Sequence, residues 1–134
     1  MIFAVDPGRE KIGTVLYKVG EGILERKVLS QVEFPRYLGW LDNRFGIDLI
    51  LIGDGTGSDY IKELAIKKEK RYILVSEVKS TEEAKQLYFA ENPPKGLKRL
   101  VPRGLLTPRG EIDDYAAEVL LLRFLKNYAE EEGI

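Results

Sequence analysis

The sequence predicts an α/β fold: a five-stranded mixed sheet, three antiparallel strands and then two parallel ones, with helices on both faces. Three observations predict it. Ile2–Val5, Ile47–Ile52 and Tyr72–Val75 are short apolar runs without alternation, the mark of strands buried on both faces. The first run is followed by two further β segments with no helix between them. From residue 35 onward, strand-like runs alternate with segments of helical period, which gives the order β-β-β-α-β-α-β-α and, after a loop-rich stretch, a last helix. Hairpins first and parallel crossovers afterwards make a mixed sheet with helices laid on it.

The elements follow in order. Ile2–Val5 leads into Asp6-Pro7-Gly8, and the second strand is expected over Ile12–Val19. Gly20-Glu21-Gly22 has the length and permissive residues of a hairpin connector. Ile23–Phe34 mostly alternates, with Leu24, Val28, Val32 and Phe34 on one face, so it is expected to be a strand nearer the sheet edge. Pro35 suits the first turn of a helix carrying Tyr37, Leu38, Trp40, Leu41 and Phe45, and Gly46 ends it. The Ile47–Ile52 strand closes on Gly53-Asp54-Gly55, after which Ser58 or Asp59 can cap a helix to about Lys70. Tyr72–Val75 closes on Ser76-Glu77, and Ser80 or Thr81 can cap a helix to about Ala90. Asn92–Gly110 holds four of the six prolines and reads as a basic, loop-rich arm within a single domain over 1–134. The chain closes with a helix from about Ile112 whose Ala117, Leu120, Leu121, Phe124, Leu125 and Tyr128 share one face.

Composition narrows the chemistry. With 134 residues, 44% of them apolar, there is enough chain to bury a core, and no apolar run approaches the roughly 20 residues of a membrane span. The first residues carry no basic segment and enter a strand at once, so a cytoplasmic protein without a signal peptide is expected. There is no cysteine and no histidine. That excludes disulfides, thiolate and imidazole metal sites, and every mechanism that needs a histidine base. A metal would have to be held by oxygen, which points to magnesium, manganese or calcium.

Acids close all three buried runs: Asp6, Asp54 and Glu77. In sheets of this kind the carboxyl ends of the strands share one rim, where ligands bind. Asp113 and Asp114 lie four and three residues before Ala117, one turn earlier on the core-facing side of the last helix, and in its first turn. Any one of these acids is explained by a turn or a helix cap. Together they are not, because two unit charges 4 Å apart repel by roughly 4 kcal/mol at an effective dielectric of 20. Such acids gather only if some are protonated or divalent cations occupy the site; cations are the economical answer, and a pair of them is a known device for in-line phosphoryl transfer.

The motifs resemble a known family. Asp6-Pro7-Gly8-Arg9-Glu10-Lys11-Ile12-Gly13 looks like the D-x-G-x-x-R/K-I-G opening of the YqgF family, among the RuvC-like Holliday-junction resolvases of the RNase H-like superfamily. Ser76-Glu77-Val78-Lys79-Ser80-Thr81-Glu82-Glu83-Ala84 is similar to its D-E-R-L-[ST]-T-x-E-A segment, and Asp113-Asp114-Tyr115-Ala116-Ala117 to its last helix. Ser76 stands where the family has Asp, and Val78 where it has Arg. The resemblance implies an RNase H-like fold and a nuclease dependent on Mg²⁺ or Mn²⁺, acting on pre-ribosomal RNA or on branched DNA of the Holliday-junction kind. It implies Asp6, Glu77 and Asp113 as catalytic, metal-binding acids, with Asp114 as a further acid on the same helix; Asp54 departs from the family's pattern and is either a substitute metal ligand, as in other RNase H-like nucleases, or a turn residue. Junction resolution would call for a homodimer; otherwise a monomer serves.

Basic residues are placed to match. Arg9 and Lys11 lie within the first motif, and the arm carries Lys95, Lys98, Arg99, Arg103 and Arg109 with no acid among them. They can neutralise phosphates without reading sequence, or equally be a solvated loop. Two alternatives stay open. Ser76 and Val78 motivate a catalytically inactive relative that binds nucleic acid, and Asp54-Gly55-Thr56-Gly57 with Asp6-Pro7-Gly8 resembles the phosphate loops of actin-like ATPases.

Overall fold

The computed structural model describes residues 1–8, 10–93, 95–96, 100 and 112–131. Among them the chain runs β1 (Ile2–Pro7), β2 (Lys11–Lys18), β3 (Gly22–Ser30), α1 (Phe34–Phe45), β4 (Leu49–Gly53), α2 (Ser58–Lys67), β5 (Arg71–Val75), α3 (Ser80–Glu91) and α4 (Asp113–Glu131). The strands form one sheet in the order β3-β2-β1-β4-β5. β1–β2 and β2–β3 are antiparallel, and β1–β4 and β4–β5 are parallel. The fold class read from the sequence is the one observed.

β1 lies at the centre because it is apolar on both sides. Its side chains alternate between two cores, as the period of a strand requires. Phe3 and Val5 join Ile12, Leu16, Ile50 and Ile52 under α1 and α2, where Phe34, Leu38, Leu41, Ile61 and Ala65 cover them. Ile2 and Ala4 face the other way, with Val15, Leu51 and Val75, beneath Ala117, Leu120 and Leu121 of α4. Leu120 is wholly buried there, and truncating such a leucine to alanine costs about 2–5 kcal/mol. α3 does not lie on the sheet core. It packs beside α4 through Ala84, Ala116 and Val119.

Three local details differ from expectation. β3 ends at Ser30, four residues early, because Ser30 and Glu33 bond reciprocally. The Ser30 N–H donates to Glu33 Oε1 at 3.0 Å and the Glu33 N–H to Ser30 Oγ at 3.2 Å, the pattern of a capping box. Phe34 therefore opens a helix rather than closing a strand, and Val32 is left exposed. α2 and α3 are preceded by left-handed residues, Gly57 (φ 107°) and Lys79 (φ 59°), rather than by side-chain caps. α2 also stops at Lys67. Among the described residues no helix is long and apolar enough to cross a membrane.

Candidate active site

The two-residue period carries past the strand ends and decides where the acids point. Ile2, Ala4 and then Asp6 fall on the α4 side of β1. Opposite Asp6 in the antiparallel register stands Gly13. On the other flank the parallel register ends at Val5↔Ile52, so Gly53 is the next position beside Asp6. Asp6 thus occupies the α4 side of the rim between two glycines, and each glycine makes room for another acid.

A Cβ on Gly13 would overlap the backbone of Asp113 and Asp114. Only a glycine lets the first turn of α4 rest on β2, and that contact brings Asp113 to Asp6. A Cβ on Gly53 would overlap Glu77 Oε1, and one on Gly55 would overlap Glu77 Oε2. The two glycines form the cradle in which the Glu77 carboxylate lies. Such glycines at a strand end mark a close approach of other groups.

The backbone around Glu77 is held on several sides. The Asp54 N–H donates to the Val75 carbonyl at 3.0 Å, and the Glu77 N–H donates to Asp54 Oδ1 at 3.1 Å. The Ser80 N–H closes the turn on the Glu77 carbonyl at 2.9 Å. Asp54 itself is exposed; its carboxylate is engaged with the amide of Glu77.

Electrostatics single out Asp6. Its carboxyl is pushed from its ordinary value up to about 8, first by burial, then by the hydrogen bond with Glu77 and by repulsion from Glu77 and Asp113. Glu77 Oε1 is buried with no hydrogen-bond partner among the described residues. A carboxylate oxygen in that position lacks the donor that would offset its desolvation.

Of the five sequence-predicted acids, Glu77 and Asp113 both bear electrostatically on Asp6. Asp54 sits next to Glu77 through its amide. Asp114 is directed elsewhere: Oδ2 pairs with Arg26 Nη1 on β3 at 3.2 Å, and the same guanidinium meets Glu118 and lies 4.6 Å from the Tyr115 ring centre. One residue further round a helix is a different face. Among the described residues no three acids gather tightly enough to cage an ion unaided. Lys11 and Lys95 are exposed, whereas Arg9, Lys98, Arg99, Arg103 and Arg109 lie outside the described residues, as does most of the basic arm. The parts sequence reasoning passed over are the Gly53–Gly55 cradle and Arg26; a glycine closing an otherwise unbroken apolar strand was the available signal for the first.

No protein-family model matches the chain, and no curated protein matches it. Solved structures do. The Fowlpox virus resolvase, crystallised with its Holliday-junction DNA, has 12% sequence identity and a TM-score of 0.55 over 95% of this chain and 97% of that one. T. thermophilus RuvC bound to a Holliday-junction substrate matches at 8% identity and a TM-score of 0.47, over 92% of this chain and 94% of that one. T. thermophilus RuvC alone gives 12% and 0.47, over 92% and 95%. At such identities the likeness is one of architecture, and the architecture of this chain is RNase H-like.

Proposed function

We propose that the protein is a divalent-metal-dependent nuclease of the RuvC-like, YqgF type that hydrolyses phosphodiesters in structured nucleic acid. One observation carries the reading: Asp6, at the carboxyl end of the central strand, is buried and crowded by Glu77 and Asp113, so that its carboxyl holds its proton to about pH 8. Carboxyls crowded at a rim are unstable as anions without a cation.

The residues present suit Mg²⁺ or Mn²⁺. Every donor is a carboxylate oxygen, the ligand class hard cations take. Glu77 Oε1 has an open valence for one. The lack of a three-acid cage is no obstacle, because Mg²⁺ is commonly held by one or two carboxylates, with waters and substrate phosphates completing its shell. Asp6 and Glu77 would hold the first ion and Asp113 a second. Bound there, the ions supply Lewis acidity for attack of water on the phosphodiester and for departure of the leaving oxygen.

The chain's own residues do the rest. Gly53 and Gly55 fix the Glu77 carboxylate, Gly13 fixes Asp113, and Asp54 acts through the Glu77 amide. Lys11, and the basic residues of the arm, would draw the phosphate backbone to the rim without reading sequence. Cleavage of a labelled four-way DNA junction and of a structured RNA, each with Mg²⁺ or Mn²⁺, tests the reading and tells the two substrates apart. Loss of cleavage in Asp6→Asn is expected; undiminished cleavage by that variant would refute it.

A further inference from the structure

Glu77 sits in the connection between β5 and α3, outside any regular element, and its side chain is useful only if that connection is rigid. The hydrogen bonds to Asp54 and Ser80 hold its own amide and carbonyl. The carbonyls on either side of it, those of Ser76 and Val78, belong to exposed residues. Both accept from one distant side chain. Arg123 Nη1 donates to the Ser76 carbonyl at 2.6 Å, and Arg123 Nη2 donates to the Val78 carbonyl at 2.6 Å. Nη2 also pairs with Glu83 Oε1 on the first turn of α3 at 3.1 Å.

We propose that Arg123 is a positioning residue for Glu77, clamping the connection on both sides of the acid. The planar fork of a guanidinium suits this, since its two terminal nitrogens reach two carbonyls at a fixed spacing; an ammonium is a point charge and cannot span them in the same way. The clamp does more than stiffen a turn. Arg123 stands ten residues after Asp113 on the same helix, about 15 Å along it at 1.5 Å per residue. α4 therefore presents one acid at its first turn and grips the loop of the other from its middle. The separation of Asp113 and Glu77 is set by one rigid element bearing on two places in the sheet rim. The inference rests on the reading of Glu77 as a metal-binding acid, and it gives Arg123 a role that its distance from Asp6 in sequence would not reveal.

Two measurements on Arg123→Lys and Arg123→Gln test it. The first needs no metal: hydrogen exchange at the Glu77 and Ser80 amides is expected to quicken at least tenfold, with exchange at Leu51 in the sheet centre unchanged. The second is Mn²⁺ binding by calorimetry, where loss of an outer-shell partner weakens affinity by about 10- to 100-fold. In both measurements Arg123→Lys should lie between wild type and Arg123→Gln. Cleavage by either variant should recover at saturating Mn²⁺, raising the metal requirement rather than lowering the limiting turnover. Glu83→Gln, which leaves both carbonyl contacts in place, should change either quantity less than threefold. Unchanged exchange and unchanged Mn²⁺ affinity in both Arg123 variants would overturn the proposal. If instead Asp6→Asn binds Mn²⁺ as wild type does, the metal site fails, and the exchange result alone decides whether Arg123 clamps the turn.

Discussion

Replacing Asp6 by asparagine should make the metal-free protein more stable, increasingly so as pH rises from about 4 to about 8. Asp6 has an ordinary value of 3.8 and stands at about 8 in the fold. Between those two values the native state keeps a proton that the unfolded state has released, so stability falls as pH rises. The contribution is intact below about pH 4 and fully lost above about pH 8. At about 1.36 kcal/mol per pH unit of separation, the gap corresponds to at most about 6 kcal/mol; relaxation and water entry bring the measurable share to roughly 2–5 kcal/mol. A side-chain amide at this position never ionises, so the Asp6→Asn variant escapes this loss. Thermal unfolding in the presence of a chelator reads the effect. Wild type and Asp6→Asn should melt within a degree or two of each other near pH 3.5, below the unfolded value of 3.8. They should separate by about 10 °C or more near pH 9, at roughly 3–5 °C per kcal/mol for a domain of this size. Adding Mg²⁺ at the higher pH should raise the wild-type midpoint by mass action and leave Asp6→Asn where it was. Parallel pH profiles for the two proteins would refute the claim that burial, Glu77 and Asp113 together keep Asp6 protonated in the fold.

Substitutions at three further positions separate positioning from folding. Gly53→Ala drives a methyl into the Glu77 carboxylate, the free end of a flexible side chain, rather than into backbone. Metal affinity measured by calorimetry should fall at least tenfold while the urea midpoint moves by less than the equivalent of about 1 kcal/mol. Gly13→Ala meets the backbone of Asp113 and Asp114, which cannot swing aside, so a loss of about 1–3 kcal/mol in urea unfolding is expected, together with loss of the site. Asp54→Asn keeps an oxygen to accept the Glu77 N–H. Cleavage and Mn²⁺ affinity should survive in Asp54→Asn and fall in Asp54→Leu; equal loss in both would show that Asp54 is a ligand and not a support.

Much of this arrangement is legible in the sequence because burial on both faces leaves a plain mark. β1 and β4 admit no polar residue until their ends, so the acids that close them announce the rim. The same rule fails for β3, where alternation runs on by chance through Val32 and Phe34 while Ser30 and Glu33 have already begun the next helix. The Ser-x-x-Glu spacing was present, but an apolar pattern outweighed it. Asp113 and Asp114 were placed together because both lie within a turn of Ala117; the partner that separates them, Arg26, lies on a strand far away in sequence. Long-range ion pairs of this kind leave no local signature. Neither does the Arg123 clamp, since an arginine on an amphipathic helix reads as a solvated charge until the loop it grips is known.

The parallel pairing of β1 with β4 and the seating of α4 on β2 bear on when the site comes into being. β1, β2 and β3 pair through near neighbours in the chain, and such contacts close quickly. α4 is the last described helix in the chain, and both Asp113 and the grip on the Glu77 connection arrive with it. A nascent chain that has folded its first three strands holds Asp6 alone at the rim, relieved of the repulsion it meets later. The proposed site is therefore completed late in folding. Any local opening that lifts α4 from the sheet removes it again, well before the strands themselves come apart.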